Sequence, residues 1–543
     1  MEAGLVDVFE VIAAAVPDRE ALVVGDRRLS FADIRDRSRR LATGLRAAGL
    51  GCHTERAELE PHQSGQSHVG LFLHNGPEFL EGLLGAAGAR AVGVNVNYRY
   101  VADELVALLE DSSAEALVFH AALAPVVADV AGRVASLHLL LQVADNSGNP
   151  LLDGAHDYET FLAVHPPQPA PYTTPDDLYI AYTGGTTGLP RGVTWRQADM
   201  YMAGLGGTDP ASGAEKPSLE AVAQAAADER IHPYLISAPL MHAAGLWIAF
   251  LAWSSGNPVI LSPITDRLDA AALLATAERE HVAFTTLVGN AFAQPLIEEL
   301  DRHDYDLSAL RFLSTGGAAM TEAMKTALLE RLPRVRIIDV VGASETGAQG
   351  RHVSSGDNVA SGRFEPGPGT GVLSDDRSHL LRAGDDEDGW LVRCGRIPLG
   401  YLGDPDKTAE TFPVVDGVRY VLPGDRARID RDGSIVLLGR DSACINTGGE
   451  KVWAEEVEDA LVSHPDVRDV IVVGRPSARW GSEVVAVLAG SPGLHLDGLR
   501  DHLRASLAGY KIPKAFIVVP EVVRGPNGKA DRRWAAEQAA AGA

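Results

Sequence analysis

Between Tyr234 and Thr265 the chain carries no Asp, Glu, Lys or Arg, and the segment YLISAPLMHAAGLWIAFLAW within it is almost unbroken apolar sequence. Such a stretch belongs either in membrane hydrocarbon or inside a large core. Length alone would allow a helix across ~30 Å of hydrocarbon. Pro239 breaks that helix, since it lacks a backbone N–H and its ring collides with the preceding turn. What remains, Met241 to Trp253, is about 13 residues or roughly 20 Å long, too short to cross. The pattern therefore predicts a strand ending near Ser237 and then a buried helix. A chain of 543 residues is long enough to surround both. Single cores stop growing near ~250–300 residues, so at least two domains are expected.

Ser30 opens a predicted helix in RLSFADIRDRSRRLATGLRAAG, with Phe31, Ile34, Leu41 and Leu45 at roughly helical spacing. HVGLFL suits a buried strand, and the Pro-rich Val164–Asp177 reads as a connector. The polar or Gly-rich stretches Gly204–Glu229 and Gly350–Asp388 read as surface loops. After DRARIDRDGSIVLLGR the character changes to a small α+β unit. VWAEEVEDALVSHP forms its helix, with Trp453, Val457, Ala460 and Leu461 on the apolar face, and DVRDVIVVG and EVVAVLAG form strands.

A net charge of -25 opposes long-range attraction to nucleic acid or an anionic bilayer, while leaving a local phosphate pocket allowed. Cys52, Cys394 and Cys444 are widely separated, with no CxxC or metal-ligand spacing, and fit inert thiols in a reducing compartment. The N-terminus has acids at Glu2 and Asp7 and no basic region of the kind that opens a secretory signal. A cytoplasmic location without a transmembrane segment is the expectation.

LYIAY reads as a buried strand, and GGTTG just after it frees backbone N–H groups to converge on one concavity, where Thr183, Thr186 and Thr187 add hydroxyl donors. Gly184, Gly185 and Gly188 complete this candidate polyphosphate cradle. A plain Gly/Thr turn between strands has the same composition, so other stretches must decide. A P-loop is disfavoured because Arg191 is followed by Gly192, with no Ser or Thr where magnesium would be held. A serine hydrolase would want G-x-S-x-G, but the run Gly342, Ala343, Ser344, Glu345, Thr346 lacks the final glycine. PGPGTG has the wrong spacing for a dinucleotide fingerprint.

Five ordered segments decide the matter: YTGGTTG; APLMHAAG; STGGAA with DVVGASETG; GDRARIDRDGSIVLLGR with INTGGEKV; and PNGKADRR. Together they resemble the signature of the adenylate-forming superfamily, which includes acyl-CoA synthetases, luciferases and peptide-synthetase adenylation domains. The resemblance runs over essentially the whole chain. YTGGTTG, VTWRQ, NVNYRY and INTGGEKV are most similar to a bacterial branch of CoA ligases acting on long-chain and steroid side-chain carboxylates. The implied fold is α/β: a large N-terminal adenylation domain with parallel and mixed sheets at 1–440, and a small mobile α+β lid at 441–543. The hinge would lie near Ser442, where Asp or Lys is common in the family.

The implied reaction joins a carboxylic acid to ATP, giving acyl-AMP and pyrophosphate, after which the thiol of CoA displaces AMP. An acyl-AMP ligase that loads a carrier protein shares the first step and is the alternative. ATP, Mg2+ and CoA are implied as cofactor and co-substrates, with small molecules as partners, and a homodimer is compatible with the resemblance. The first step needs cations and aligned donors rather than a protein nucleophile.

Lys529 would bridge the substrate carboxylate and the α-phosphate. Arg191 stands where the family usually has Lys, and its planar fork does not replace a point charge without repositioning. Glu345 is assigned to Mg2+, a hard cation that prefers carboxylate and phosphate oxygens, and Ser344 can donate to the α-phosphate. Asp339 could accept the adenine amino group, Val341 stands where an aromatic commonly stacks on the base, and Gly316, Gly317, Ala318 and Gly342 let the backbone approach closely. Asp425 suits the ribose hydroxyls, with Arg440 as a second nucleotide contact. Gly448 and Gly449 would line a passage for the pantetheine arm once the lid has rotated. His242 reads equally as an orienting group at the acyl pocket and as a hydrogen-bonded core residue. Trp247, Val288, Gly289, Phe292, Gly317 and Val341 are expected in the pocket wall, which several slender side chains would shape for a bulky hydrophobic acid.

Overall fold

The fold is described from a computed structural model whose described residues are all but 185–189, 210–211, 318–319, 321, 357, 386, 441–443, 492–493, 524–530 and 543. Side chains at 184, 290–291, 438–440, 444, 453, 455 and 459 also lie outside the description.

Among the described residues three sheets organise the chain, of fifteen, eight and five strands. In the largest, Tyr234–Leu235, Phe284–Leu287, Phe312–Thr315 and Arg336–Ala343 run parallel as successive neighbours, and Gly347–Ser354 returns antiparallel. The eight-stranded sheet contains the fully buried strand His68–Phe72, which pairs in parallel with Val92–Asn95 and Ala114–His120. Leu22, Val69, Trp195 and Trp253 belong to one buried cluster, so the two large sheets share a core.

The uncharged segment lies inside that core. Its strand, Tyr234–Leu235, is shorter than expected, and the helix runs Ala243–Trp253. Trp253 packs against Phe9, Phe31 and Phe250 at ring separations of 5.1, 6.2 and 5.5 Å and donates its indole N–H to the Ala21 carbonyl at 2.8 Å. Among the described residues no helix is long and apolar enough to cross a membrane.

The helix predicted from Ser30 spans Phe31–Ala47. Ser30 accepts from the Asp33 N–H while the Asp33 carboxylate accepts from the Ser30 N–H, a reciprocal cap that satisfies two donors otherwise left open at a helix start. The two predicted loops need correction. Leu219–Ala226 is a helix within the first, and the end of Gly347–Ser354 together with Arg363–Pro366 and Thr370–Leu373 are strands in the second. They pair mainly with neighbouring strands, Arg363–Pro366 also reaching the distant Ile435–Arg440, and Gly350 marks close approach rather than a turn: a Cβ there would sit 2.8 Å from the Glu365 carbonyl oxygen.

The five-stranded sheet is built from Cys444–Thr447, Glu450–Trp453, Val467–Ser477, Gly481–Gly490 and Ala515–Val518. Alternate residues of its central hairpin enter two cores. Val470, Val472, Val484 and Ala486 meet Val457, Leu461, Leu499 and Leu503, whereas Ile471, Val473, Val485 and Val487 meet Ala535 and Ala539. Burial on both faces explains why these strands read as continuous apolar runs. The helix predicted around Trp453 is Ala454–Val462, and Trp453 itself belongs to the preceding strand, outside that helix's apolar face.

Candidate active site

Parallel strands gather their C-terminal ends along one edge, and ligands of open α/β sheets bind outside that edge. Here Leu287 leads into Val288 and Gly289, Thr315 into Gly316 and Gly317, and Asp339 and Val341 lie toward the end of the neighbouring strand. The Gly289 N–H donates to Thr315 Oγ1 at 3.2 Å and ties two of these ends together. Phe292 is half-buried against the core behind them.

Glu345 occupies the turn between Arg336–Ala343 and Gly347–Ser354. Its Oε1 accepts from the Tyr401 hydroxyl at 3.1 Å, and its Oε2 is buried with no hydrogen-bond partner among the described residues. A buried carboxylate oxygen left without a donor suits a hard divalent cation, so this residue fits Mg2+. Among the described residues no group of three or more His, Cys, Asp and Glu could hold a metal ion. The turn itself is braced. Trp195 donates to the Ser344 carbonyl at 2.9 Å, and the Arg393 guanidinium donates to the carbonyls of Thr346 and Ala348. Burial pushes the Arg393 group down to about 10.

Arg191 lies close by. Its Nε is 3.5 Å from Asp404 Oδ2 and its guanidinium is 6.0 Å from the Tyr401 ring centre, so Arg191, Tyr401 and Glu345 form one cluster. Thr183 and Gly184 end the strand Leu178–Gly184, which pairs with Pro190–Arg196. Gly185, Thr186, Thr187 and Gly188 lie outside the described residues, as do Ala318, Ser442 and Lys529.

Asp339 is held by Lys325, whose Nζ is 2.6 Å from its carboxylate. Burial pushes the Asp339 carboxyl up, and Lys325 counters part of that shift. Val341 is half-buried, and Gly342 follows it on the same strand. Asp425 stands opposite Arg440 in an antiparallel pair, which brings the two proposed nucleotide contacts together.

His242 is not on the apolar helix but at its N-cap. Its Nε2 lies 3.2 Å from Glu450 Oε1, on the C-terminal unit. Trp247 donates to the Tyr179 hydroxyl at 3.2 Å. Gly448 donates to the Trp480 carbonyl at 3.0 Å, and Gly449 lies directly against Val288. The Gly448–Glu450 turn therefore reaches the edge formed by the parallel strands. Burial would push the Glu450 carboxyl up, but His242, Arg99 and Lys511 hold it below its ordinary value. Arg99 Nη1 is 2.5 Å from the same Glu450 oxygen.

Sequence reasoning missed Tyr401, Arg393, Arg99 and Glu450. Glu450 follows the two glycines of INTGGEKV, and Arg99 lies in NVNYRY, so both were visible as motif members without a visible partner.

Residues 9–392 match the AMP-binding enzyme family, and residues 456–529 match the AMP-binding enzyme C-terminal domain. The chain is 50% identical over 538 residues to a medium-chain acyl-CoA ligase, Mig, of Mycobacterium avium, covering 98% of each. It is 38% identical over 543 residues to a medium/long-chain-fatty-acid and 3-oxocholest-4-en-26-oate CoA ligase of Mycobacterium tuberculosis, covering 98% of this chain and 96% of that one. Among solved structures, the amide bond synthetase McbA of Marinactinospora thermotolerans shares the fold with a TM-score of 0.78 at 23% identity, over 98% of this chain and 99% of that one.

Proposed function

Because the chain belongs to the AMP-binding enzyme family, we propose that it is an ATP-dependent acyl-CoA ligase acting on medium- or long-chain fatty acids or steroid side-chain acids. In the first step a substrate carboxylate oxygen attacks the α-phosphorus of ATP and pyrophosphate leaves. In the second the CoA sulfur attacks the acyl carbonyl, the carbonyl–phosphate bond breaks, and AMP departs.

Two anions must meet in the first step, so the barrier is repulsion and alignment. Backbone N–H groups and hydroxyls of Thr183–Gly188, with Arg191, receive the phosphates. Lys529 bridges the substrate carboxylate and the α-phosphate as charge grows there. Glu345 would hold Mg2+, which supplies positive charge to the phosphates when bound. Asp339 with Gly316, Gly317 and Ala318 receives adenine, and Asp425 with Arg440 receives the ribose. His242, Trp247, Val288, Gly289 and Phe292 bound the acyl end.

The C-terminal unit rotates about a hinge near Ser442, the boundary between residues 1–440 and 441–543, and exchanges Lys529 for Gly448 and Gly449. The observation that carries the CoA step is the Gly448–Glu450 turn seated against Val288 and His242, an arrangement that supports a lid turned for thioester formation. A cytoplasmic location and a homodimer complete the reading.

The test is direct. Purified protein is given ATP, magnesium and a series of acids from octanoate to 3-oxocholest-4-en-26-oate, with AMP release followed and thioester detected on free CoA or on a phosphopantetheinyl carrier protein. AMP release with free CoA as the better acceptor is expected. A preference for the carrier protein would replace the CoA assignment, and no AMP from any acid would end the proposal.

A further inference from the structure

NVNYRY, with no part in the chemistry above, forms a platform for the C-terminal unit. Asn97 Nδ2 donates to the Tyr510 hydroxyl at 3.1 Å, Arg99 pairs with Glu450, and the Tyr100 ring centre is 5.3 Å from Lys511 Nζ. At the middle of this contact Lys511 Nζ lies 2.6 Å from Glu104 Oε1 and 2.7 Å from Glu456 Oε1. Lys511 is 5% exposed, and Tyr510 brings a second ring to 5.8 Å from the ammonium. Glu104 belongs to the helix Ala102–Asp111 of the large domain, whereas Glu456 and Lys511 travel with the C-terminal unit.

We propose that Lys511 is a positioning residue for thioester formation, a buried cationic clamp that joins Glu456 of the lid to Glu104 of the large domain only when Gly448–Glu450 is docked at the acyl site.

The inference rests on the two-step reading given above. Two largely buried carboxylates that share one site repel each other, and a cation between them offsets that repulsion. In the docked arrangement Lys511 serves both. Rotation leaves Glu104 behind while the Lys511–Glu456 pair travels with the lid, so the Glu104 contact is made in one arrangement and not in the other. Interactions present in only one of two states shift the equilibrium between them. Burial would push the Lys511 ammonium down, but the two carboxylates raise it above its ordinary value, which keeps the clamp charged.

Glu104→Gln tests this without harming the fold, because the Val101 N–H donates to Glu104 Oε2 at 3.2 Å and glutamine caps a helix in the same way. Pyrophosphate release in the first half-reaction is expected to be unchanged, while conversion of supplied acyl-adenylate and CoA to thioester slows at least tenfold. Lys511→Met should slow the thioester step further, since both carboxylates then face each other. The double variant Glu104→Gln with Lys511→Met should recover part of that loss by removing one of the two repelling charges. A merely structural lysine would give no such recovery and would slow both half-reactions alike. Equal losses in the two steps, no loss in either, or a double variant worse than Lys511→Met would overturn the clamp. Wild-type protein that makes acyl-AMP but no CoA thioester would instead overturn the functional reading, and the clamp with it.

Discussion

Replacing Gly449 with Ala should block thioester formation while sparing adenylation. Gly449 has φ of +86°, and a methyl there would approach Val288 Cβ to 3.3 Å and overlap its Cγ1 outright, against an ordinary carbon contact of ~3.5–4.0 Å. Two costs arise, and they act on different states. An L-residue at positive φ costs about 1–2 kcal/mol, but the turn carries that strain wherever the lid stands, so it lowers stability without biasing the two arrangements. The overlap with Val288 exists only when the lid is docked. Val288 is buried, and forcing extra volume into a packed site costs about 1–3 kcal/mol. At ~1.36 kcal/mol per tenfold change, the docked population falls roughly 5- to 160-fold. The assay supplies acyl-adenylate and CoA and follows thioester formation by rapid quench, with pyrophosphate release from acid and ATP measured alongside. Gly449→Ala should lose the first rate and keep the second, and Val288→Ala on the same background should restore much of the loss, because the overlapping Cγ1 is gone. Failure of that rescue, or equal slowing of both half-reactions, would refute the docking argument.

Glu345→Gln should raise the magnesium concentration needed for half-maximal pyrophosphate release, since a neutral amide replaces the carboxylate whose Oε2 has no partner among the described residues; an unchanged magnesium titration would remove Glu345 from the metal site. Lys529→Ala should impair acyl-adenylate formation far more than thioester formation from supplied acyl-adenylate, and equal losses would contradict the exchange of lid positions. Glu450 is held below the ordinary carboxylate value of 4.5, so its contribution to docking is complete above that value and disappears as pH falls through the depressed one. Cross-linking between the lid and the large domain should therefore hold steady from neutral pH to about pH 5 and weaken at lower pH. Glu450→Gln should lack that acid-induced weakening, and a wild-type decline already complete above pH 5 would point to another group.

Local pattern made much of the architecture readable. A reciprocal cap at Ser30 and Asp33 announces a helix because both partners lie within one turn, and uncharged sequence around Pro239 announces a core because the helix left after the proline is too short to span lipid. The order of the motifs carried the family and hence the chemistry, since each motif is a short run whose residues act together. The strands of Gly350–Asp388 were not readable, because Gly350 and Gly369 serve close approach to a neighbouring strand, whereas glycine in isolation signals a turn.

Tertiary structure alone decided how the C-terminal unit meets the rest of the chain. Arg99 and Glu450 are 351 positions apart, and Lys511 and Glu104 are 407 apart, so no periodicity or spacing links them. As letters, Glu104, Glu456 and Lys511 are ordinary surface charges. In the folded chain all three are largely withdrawn from water, and Lys511 stands between the two carboxylates in a low-dielectric setting where charge interactions strengthen.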